Sequence, residues 1–395
     1  NILIFSPNQI FSEYISNVLP ELGEDNTLQC TFDSFLEGNI TEFHHVEEFS
    51  KFIERYYKKK NQNEDWITYK QSDQVIEDLD IYIESLEKKA IFIDDLSFDR
   101  KFMTKNELNQ FLKRYEHFRL FERIPAVAHK ICDYWYEGKY GKVRQLISKL
   151  YQIFSVSRDY KQIYTDFFKT DIFKNHYKGT ILSTELDSLC KNKKELPYED
   201  ACLFAYLKGK LEGFEYRGLI KQVVIDEAQD YNKLQYQIIK NIFPKSGFTI
   251  LGDVNQTINP YYKYSSLSEL TDIFNQDSLY LELKKTYRSS EEIIEYTNKI
   301  LGLEHIQAIR KKNHHPVIQK QEEQRKIIEQ LVEDVEKLKT SSKSIAIITK
   351  TDEEATNLFE SLKEYLPEIS LLETKVEKFN RNLVLVPSYI AKGLE

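Results

Sequence analysis

Ten residues, Lys221 to Asp230 (KQVVIDEAQD), constrain this chain more than any others. Val223, Val224 and Ile225 run straight into Asp226 and Glu227. A short β-branched run of this kind reads as a strand buried on both faces, the form strands take in a parallel sheet. Ligands of such sheets bind beyond the carboxyl ends of the strands, which is where the two acids fall. Adjacent carboxylates there can divide labour. Asp226 can hold Mg2+ through water, because that ion prefers oxygen ligands and keeps part of its hydration shell. Glu227 can orient or deprotonate the water that attacks a nucleotide phosphate. The two acids by themselves are equally compatible with a plain acidic turn.

Two later stretches decide against the plain turn. Phe248 to Gln256 (FTILGDVNQ) reads as a second strand with a polar end. Leu281 to Ser290 (LELKKTYRSS) reads as a third and leads into a helical pattern with Ile293, Ile294 and Tyr296. DEAQD, GDxNQ and TYRS, in this order and each at a strand end, resemble motifs II, III and IV of the UvrD/Rep-like superfamily-one helicases.

That resemblance implies ATP and Mg2+ as cofactors, with Asp226 on the metal and Glu227 on the water. It implies that Gln256 senses the terminal phosphate and that Tyr287 stacks on the adenine. It places Gln229 at the nucleotide and brings Arg288 to the γ-phosphate from a second domain. The last role suits the chemistry, since phosphoryl transfer needs positive charge on the equatorial oxygens.

The first residues, NILIFSPN, form a strand that Pro7 ends, followed by a helical pattern at Phe11, Tyr14, Ile15, Val18 and Leu19. This resembles motif Ia. Thr31 to Phe35 (TFDSF) resembles motif Ib, TFHS, with Asp33 in place of His. Both motifs face single-stranded nucleic acid in the family, which carries over to Pro7, Asn8, Thr31 and Phe32. Taken as a residue alone, Phe32 reads equally as core. The wording SPNQIFSEYISNVLPELGEDN followed by QCTFDSF is similar to the HelD-type helicase relatives of Gram-positive bacteria, which act on RNA polymerase.

From Phe49 to Pro197 strand signals thin out, and stripes such as Leu108, Phe111, Leu112, Tyr115 and Phe118 follow a helical period. One apolar run, Ala90 to Ile93, reads as a strand ending in Asp94 and Asp95. No second or third motif follows it, so these acids read as structural. The resemblance makes 49–197 an insertion like subdomain 1B, which in HelD-type relatives includes an arm that grips the polymerase. Such an insertion is expected to be removable with the two sheets still folding.

Tyr198 opens an amphipathic helix that returns to the DEAQD strand. Tyr261 lies five residues after Gln256, the offset at which the family often has a base-stacking Trp. It reads as a base platform or as a loop anchor. Arg310 to Pro316 reads as a polar connection. A helix, the strand Ser344–Thr349, another helix and the strand Asn382–Val386 then imply a second parallel sheet. The end, PSYIAKGLE, resembles motif V, HxxKGLE, with Tyr389 in place of His. Glu395 would meet the ribose, and Ser388, Lys392 and Gly393 the nucleic-acid backbone.

The expected fold class is α/β. Two RecA-like parallel-sheet domains of the P-loop NTPase class, both incomplete, carry a large helical insertion in the first. The expected boundaries are 1–48 with 198–285, 49–197, and 286–395. No Gly-x-x-x-x-Gly-Lys-Ser/Thr loop occurs; the nearest approach, Gly138 to Lys142, has the wrong spacing. That loop lies upstream of motif Ia in the family, and a second arginine motif lies downstream of motif V. The chain is therefore expected to be a fragment that does not hydrolyse ATP by itself.

Composition narrows the remaining classes. A net charge of −8 is not the footprint of a simple basic nucleic-acid binder. A motor can still confine its basic and aromatic groups to one channel. Cys30, Cys132, Cys190 and Cys202 are scattered without zinc spacing, and the pairs His44–His45 and His314–His315 lack companion ligands. No membrane-spanning apolar run and no signal-peptide pattern is present, so a cytoplasmic protein is expected. Three functions stay open. One is an ATP-driven helicase or translocase on single-stranded DNA or a duplex with an overhang. Another is a HelD-type factor that recycles RNA polymerase. The last is a non-catalytic binding module that keeps the fold.

Overall fold

The computed structural model describes residues 1–9, 11–12, 27–58, 63–179, 194–214, 216, 218–274, 278–303, 306–311, 317–321, 323, 326–372 and 382–392. The helical pattern expected after Phe11, Cys190, the His314–His315 pair, Gly393 and Glu395 lie wholly or largely outside them.

The architecture is α/β, with parallel sheets at both ends of the chain. Strands β1 (Ile2–Phe5), β2 (Thr27–Cys30), β3 (Gln222–Ile225) and β4 (Gly247–Ile250) form one sheet in the order β2-β1-β3-β4, every pair parallel. Leu3, Phe5, Val223 and Ile225 point into the core, while Ile4 and Val224 on the opposite face are half-buried. The sheet is therefore covered more deeply on one side than the unbroken apolar run suggests.

Later in the chain come β5 (Lys285–Ser290) and β6 (Gln307–Arg310), a parallel pair. Arg310 thus ends a strand, not a connection, and its Nη1 donates to the Arg288 carbonyl at 3.0 Å. The run Gln307–Arg310 has no apolar alternation, so nothing local marked it. Strands β7 (Ile345–Thr349), β8 (Ser370–Leu371) and β9 (Leu383–Pro387) make a third parallel sheet, ordered β7-β9-β8.

Strand β9 is buried along its whole length, and its two faces serve two cores. Leu383 and Leu385 join Val335, Ala355 and Leu362. Val384 and Val386 join the larger core that contains the first sheet. The period-2 alternation of a strand makes this division possible.

Segment 49–197 is mostly helical, and a short parallel pair, His45–Val46 with Glu195–Leu196, brings its ends together. Ala90–Ile93 is not a strand: Phe92 makes only an isolated bridge to Phe154. Its partner stretch begins where the helix Val143–Gln152 ends, so no ladder can extend. Asp95 Oδ1 accepts the Lys105 N–H at 2.8 Å at the start of the helix Lys105–Lys113, a structural use of that acid.

This segment is packed into the rest of the molecule. The helix Tyr198–Glu212 is buried on nearly every side and touches Glu64–Gln71, Gln74–Lys89 and Tyr160–Phe167 of the segment, as well as Lys233–Ile242. It is not the amphipathic helix expected from sequence: buried nearly all round, it needs cover all round. Charges are buried at the seam as well. Lys70 Nζ lies 2.7 Å from Asp200 Oδ1, both side chains at most 3% exposed. Arg55 bridges Glu47 at 2.8 Å and Glu199 at 2.6 Å.

Candidate active site

Asp226 and Glu227 stand at the carboxyl end of β3. The loop that carries them is tied to both neighbouring strands. Asp226 N–H donates to the Phe5 carbonyl at 3.2 Å and Ala228 N–H to that of Leu251 at 2.8 Å. Glu227 has φ +51° and ψ +43°, the left-handed region that costs a non-glycine residue about 1–2 kcal/mol. Strain of this kind persists where surrounding contacts over-determine it.

Those contacts come from motif III and the chain's last turn. Gln229 Nε2 donates to Glu227 Oε2 at 2.7 Å, while Gln229 Oε1 accepts the Asp253 N–H at 2.9 Å. Gly252 permits this approach: a Cβ there would lie 2.4 Å from Gln229 Oε1 and 3.0 Å from the Ala228 nitrogen. Only glycine lets the two loops come so close. Gln256 is exposed, and its Nε2 donates to Asp253 Oδ2 at 3.0 Å.

Asp230 Oδ1 accepts the Ile258 N–H at 2.8 Å, and its Oδ2 lies 2.5 Å from Lys392 Nζ. The same ammonium is 2.8 Å from the Gln256 carbonyl and 3.2 Å from Glu227 Oε2. Burial pushes the Asp226 and Asp230 carboxyls up from their ordinary values. The charge of Lys392 opposes that at both, and the charge of Arg288 opposes it at Asp226. Arg288 lies on exposed β5 within electrostatic reach of Asp226, and Tyr287 beside it is 73% exposed.

Among the described residues no group of three or more His, Cys, Asp or Glu could hold a metal with protein ligands alone. A single half-buried carboxylate such as Asp226 still fits Mg2+, which retains waters and takes phosphate oxygens when nucleotide is present.

The residues expected to face nucleic acid divide. Pro7, Asn8 and Thr31 line a groove of about 150 Å3 together with Tyr389 and Ile390. Asp33, Glu37 and Glu48 line it too, and among the described residues no Lys or Arg does. Thr31 and Asp33 are occupied as well. Thr31 caps the helix Phe32–Glu37, and Asp33 Oδ2 accepts the Phe49 N–H at 3.1 Å. Asp33, where the resemblance has His, thus fastens the start of segment 49–197.

Phe32 is 3% exposed and packs between Phe5 and Tyr231, so in this arrangement it is core. Tyr261 is half-buried, with ring centroids 5.4 Å from both Phe52 and Tyr56. Ser388 is exposed, and its Oγ donates to the Lys350 carbonyl at 3.3 Å.

Sequence reasoning missed three residues here: Asp230, Gln71 and Glu54. Asp230 sits inside DEAQD and was in view. Gln71 Oε1 accepts from Asn232 at 3.0 Å, and Glu54 from Tyr389 at 2.7 Å; neither residue has a local signal.

The sequence profile of the UvrD/REP helicase N-terminal domain matches residues 13–276, more than half of the chain. An ATP-dependent helicase/nuclease subunit of Oenococcus oeni is 30% identical over 121 residues, 27% of this chain and 9% of that protein. The ATP-dependent DNA helicase srs2 of Schizosaccharomyces pombe is 33% identical over 86 residues, 21% of this chain and 10% of that protein. A probable DNA helicase II homolog of Mycoplasma capricolum is 29% identical over 125 residues, 29% of this chain and 16% of that protein. The matched segments thus span less than a fifth of these relatives.

Proposed function

This chain belongs to the UvrD/REP helicase family, and from that premise we propose that it is the core of an ATP-dependent superfamily-one DNA helicase or translocase. The observation that carries the proposal is the meeting at β3. Asp226 and Glu227 stand at the carboxyl end of a parallel strand, Gln229 and Asp253 hold the loop, Lys392 reaches it from the turn after β9, and Arg288 on β5 bears electrostatically on Asp226. Mg2+, when bound with nucleotide, would supply positive charge against the phosphates. Asp226 would hold it, Glu227 would orient the attacking water, Gln256 would report the terminal phosphate, and Arg288 would offset developing charge. Tyr287 and Glu395 would face the adenosine, with Gln229 behind Glu227. In this reading 1–48 with 198–285 and 286–395 are two RecA-like domains, and 49–197 is an insertion in the first. Pro7, Asn8, Thr31, Tyr261, Ser388 and Gly393 are the residues this reading assigns to the single-strand track.

The experiment is ATP hydrolysis by the intact protein with and without single-stranded DNA. Glu227→Gln should keep nucleotide binding and lose about 10²–10⁴ in turnover, because it removes a proton acceptor and keeps the shape. Turnover at the wild-type rate in that variant would overturn the assignment.

Within the family we propose the HelD-type branch, a cytoplasmic factor acting on RNA polymerase. The wording of residues 6–26 and 29–35 supports it, as does the length of segment 49–197. Co-purification of RNA polymerase with the intact protein at high and low salt tests it. Salt-sensitive DNA binding with no polymerase recovered would return the protein to the other helicases.

A further inference from the structure

Lys392 lies in the stretch that resembles motif V, where a lysine is expected on the nucleic-acid backbone. Its surroundings differ from that expectation. The side chain is only 8% exposed. An ammonium has three protons to donate, and three oxygens surround this one: Asp230 Oδ2 at 2.5 Å, the Gln256 carbonyl at 2.8 Å and Glu227 Oε2 at 3.2 Å. Two of these accept hydrogen bonds, Glu227 Oε2 is an ion-pair contact, and the ammonium faces the acids.

The backbone of Lys392 is fixed too. Asn8 Nδ2 donates to its carbonyl at 2.9 Å, and Asn8 Oδ1 accepts the Phe11 N–H at 2.8 Å. The turn after β9 is therefore held by the end of β1 while its side chain crosses to the acids after β3. One residue connects the loops after β1 and β3 with the turn after β9.

We infer that Lys392 is a positioning residue of the hydrolytic centre, an ammonium delivered by the second half of the chain to fix Glu227 and Asp230. This rests on the reading of Glu227 given above. Glu227 sits in a strained backbone conformation, and its Oε2 both accepts from Gln229 and pairs with the Lys392 ammonium. Oε1 is then the oxygen a water can use. Without Lys392 the carboxylate keeps one tether, from a side chain on its own loop. Asp230, 5% exposed, loses the charge that compensates its burial.

The test uses the intact protein with saturating single-stranded oligonucleotide. Lys392→Met should lower kcat about 100-fold, the scale of a small misplacement at a reacting group. KM for ATP and Kd for the oligonucleotide should stay within about twofold of wild type, since binding is not what the ammonium serves. Lys392→Arg, which keeps the charge on a different head, should recover about tenfold of that loss. The double variant Lys392→Met/Asp230→Asn removes the stranded buried acid; it should fold and still show the lowered kcat.

A retained kcat with an oligonucleotide Kd weakened about tenfold or more would make Lys392 a phosphate contact and overturn the inference. A raised kcat would make it a restraint and overturn it as well. Equal losses in the Met and Arg variants would mark it as structural only. If wild type does not hydrolyse ATP, or Glu227→Gln hydrolyses it normally, the functional reading fails first and takes the inference with it. That pattern is distinct from an active wild type, an inactive Glu227→Gln and a normal Lys392→Met, which would sink the inference alone.

Discussion

Tyr389 donates its hydroxyl to Glu54 Oε2 at 2.7 Å, joining the turn after β9 to the helix Phe49–Lys58 at the start of segment 49–197. The same oxygen accepts the Asp352 N–H at 3.1 Å, so one carboxylate serves two elements of the second half. Lys350 adds its ammonium 4.9 Å from the Tyr57 ring centroid on the same helix. The segment thus contacts both halves of the molecule, and Tyr389 makes its contact where the family resemblance has His.

Stability should report this contact as a function of pH. Burial by itself raises the Glu54 carboxyl, but the Tyr389 hydroxyl, the Asp352 N–H and the Lys58 charge outweigh it and bring the group below its ordinary value. A carboxyl lowered in the folded state contributes stability that is fully present above its unfolded pKa of about 4.3. That contribution is lost as pH falls through the lower folded value. The difference in urea midpoint between wild type and Glu54→Gln should be constant from about pH 7 to pH 5 and shrink below about pH 4. A difference that does not change with pH would show that Glu54 is not held as an anion.

Much of this was legible in the sequence, and the reason is periodicity. The strands at Ile2, Gln222, Gly247, Ile345 and Leu383 are apolar runs that end in polar residues, so their type and the position of the acids could be read locally. The short strands Thr27–Cys30, Gln307–Arg310 and Ser370–Leu371 carry too few apolar residues for a pattern. The partners of the acids were harder to see. Lys392 reaches Asp230 across 162 residues and Glu54 reaches Tyr389 across 335, and no local period encodes such a pair. Asp33 was visible as a departure from the family's His. That it fastens the Phe49 helix follows only from the folded geometry.

Lys70 and Asp200 supply a test of the seam. Their atoms lie 2.7 Å apart, both side chains are at most 3% exposed, and Tyr164 donates to Asp200 Oδ1 at 2.5 Å. Removing one partner of a buried pair leaves a charge without compensation, which costs about 3–5 kcal/mol. Lys70→Met should be destabilised by that amount in urea unfolding. The double variant Lys70→Met/Asp200→Asn should recover a large part of it. A loss below about 1 kcal/mol for the single variant would place the pair among solvent-exposed ion pairs.

Arg288 tests the nucleotide side. It sits on exposed β5, and its charge opposes the upward push of burial on the Asp226 carboxyl. A guanidinium that stabilises a transferring phosphoryl group from a second domain contributes about 10³ in rate. Arg288→Ala in the intact protein should lower kcat by that order with nucleotide still bound, as measured by steady-state ATP hydrolysis and nucleotide titration. A wild-type rate would remove Arg288 from the site.

The last prediction concerns segment 49–197 and runs against the expectation that it can be cut away. Phe52, 1% exposed, packs against Phe49, Tyr198 and Tyr261, so the segment's first helix is part of the central core. Deletion would strip Arg55 from Glu47 and Glu199, Lys70 from Asp200, and the Gln71 acceptor from Asn232. Buried acids without their cations and a bare face on the helix Tyr198–Glu212 cannot stay folded at ordinary margins of stability. The deleted protein should bind a hydrophobic dye and lack a cooperative urea transition; a cooperative transition would show an independent module. A role of the segment in partner binding must therefore be tested by surface substitution. Phe102, 60% exposed on the hairpin Leu96–Phe98/Lys101–Met103, is suited to that. Phe102→Ser should keep stability within about 0.5 kcal/mol, the range of surface changes away from special features. A larger loss would show that the exposed ring is anchored to the fold.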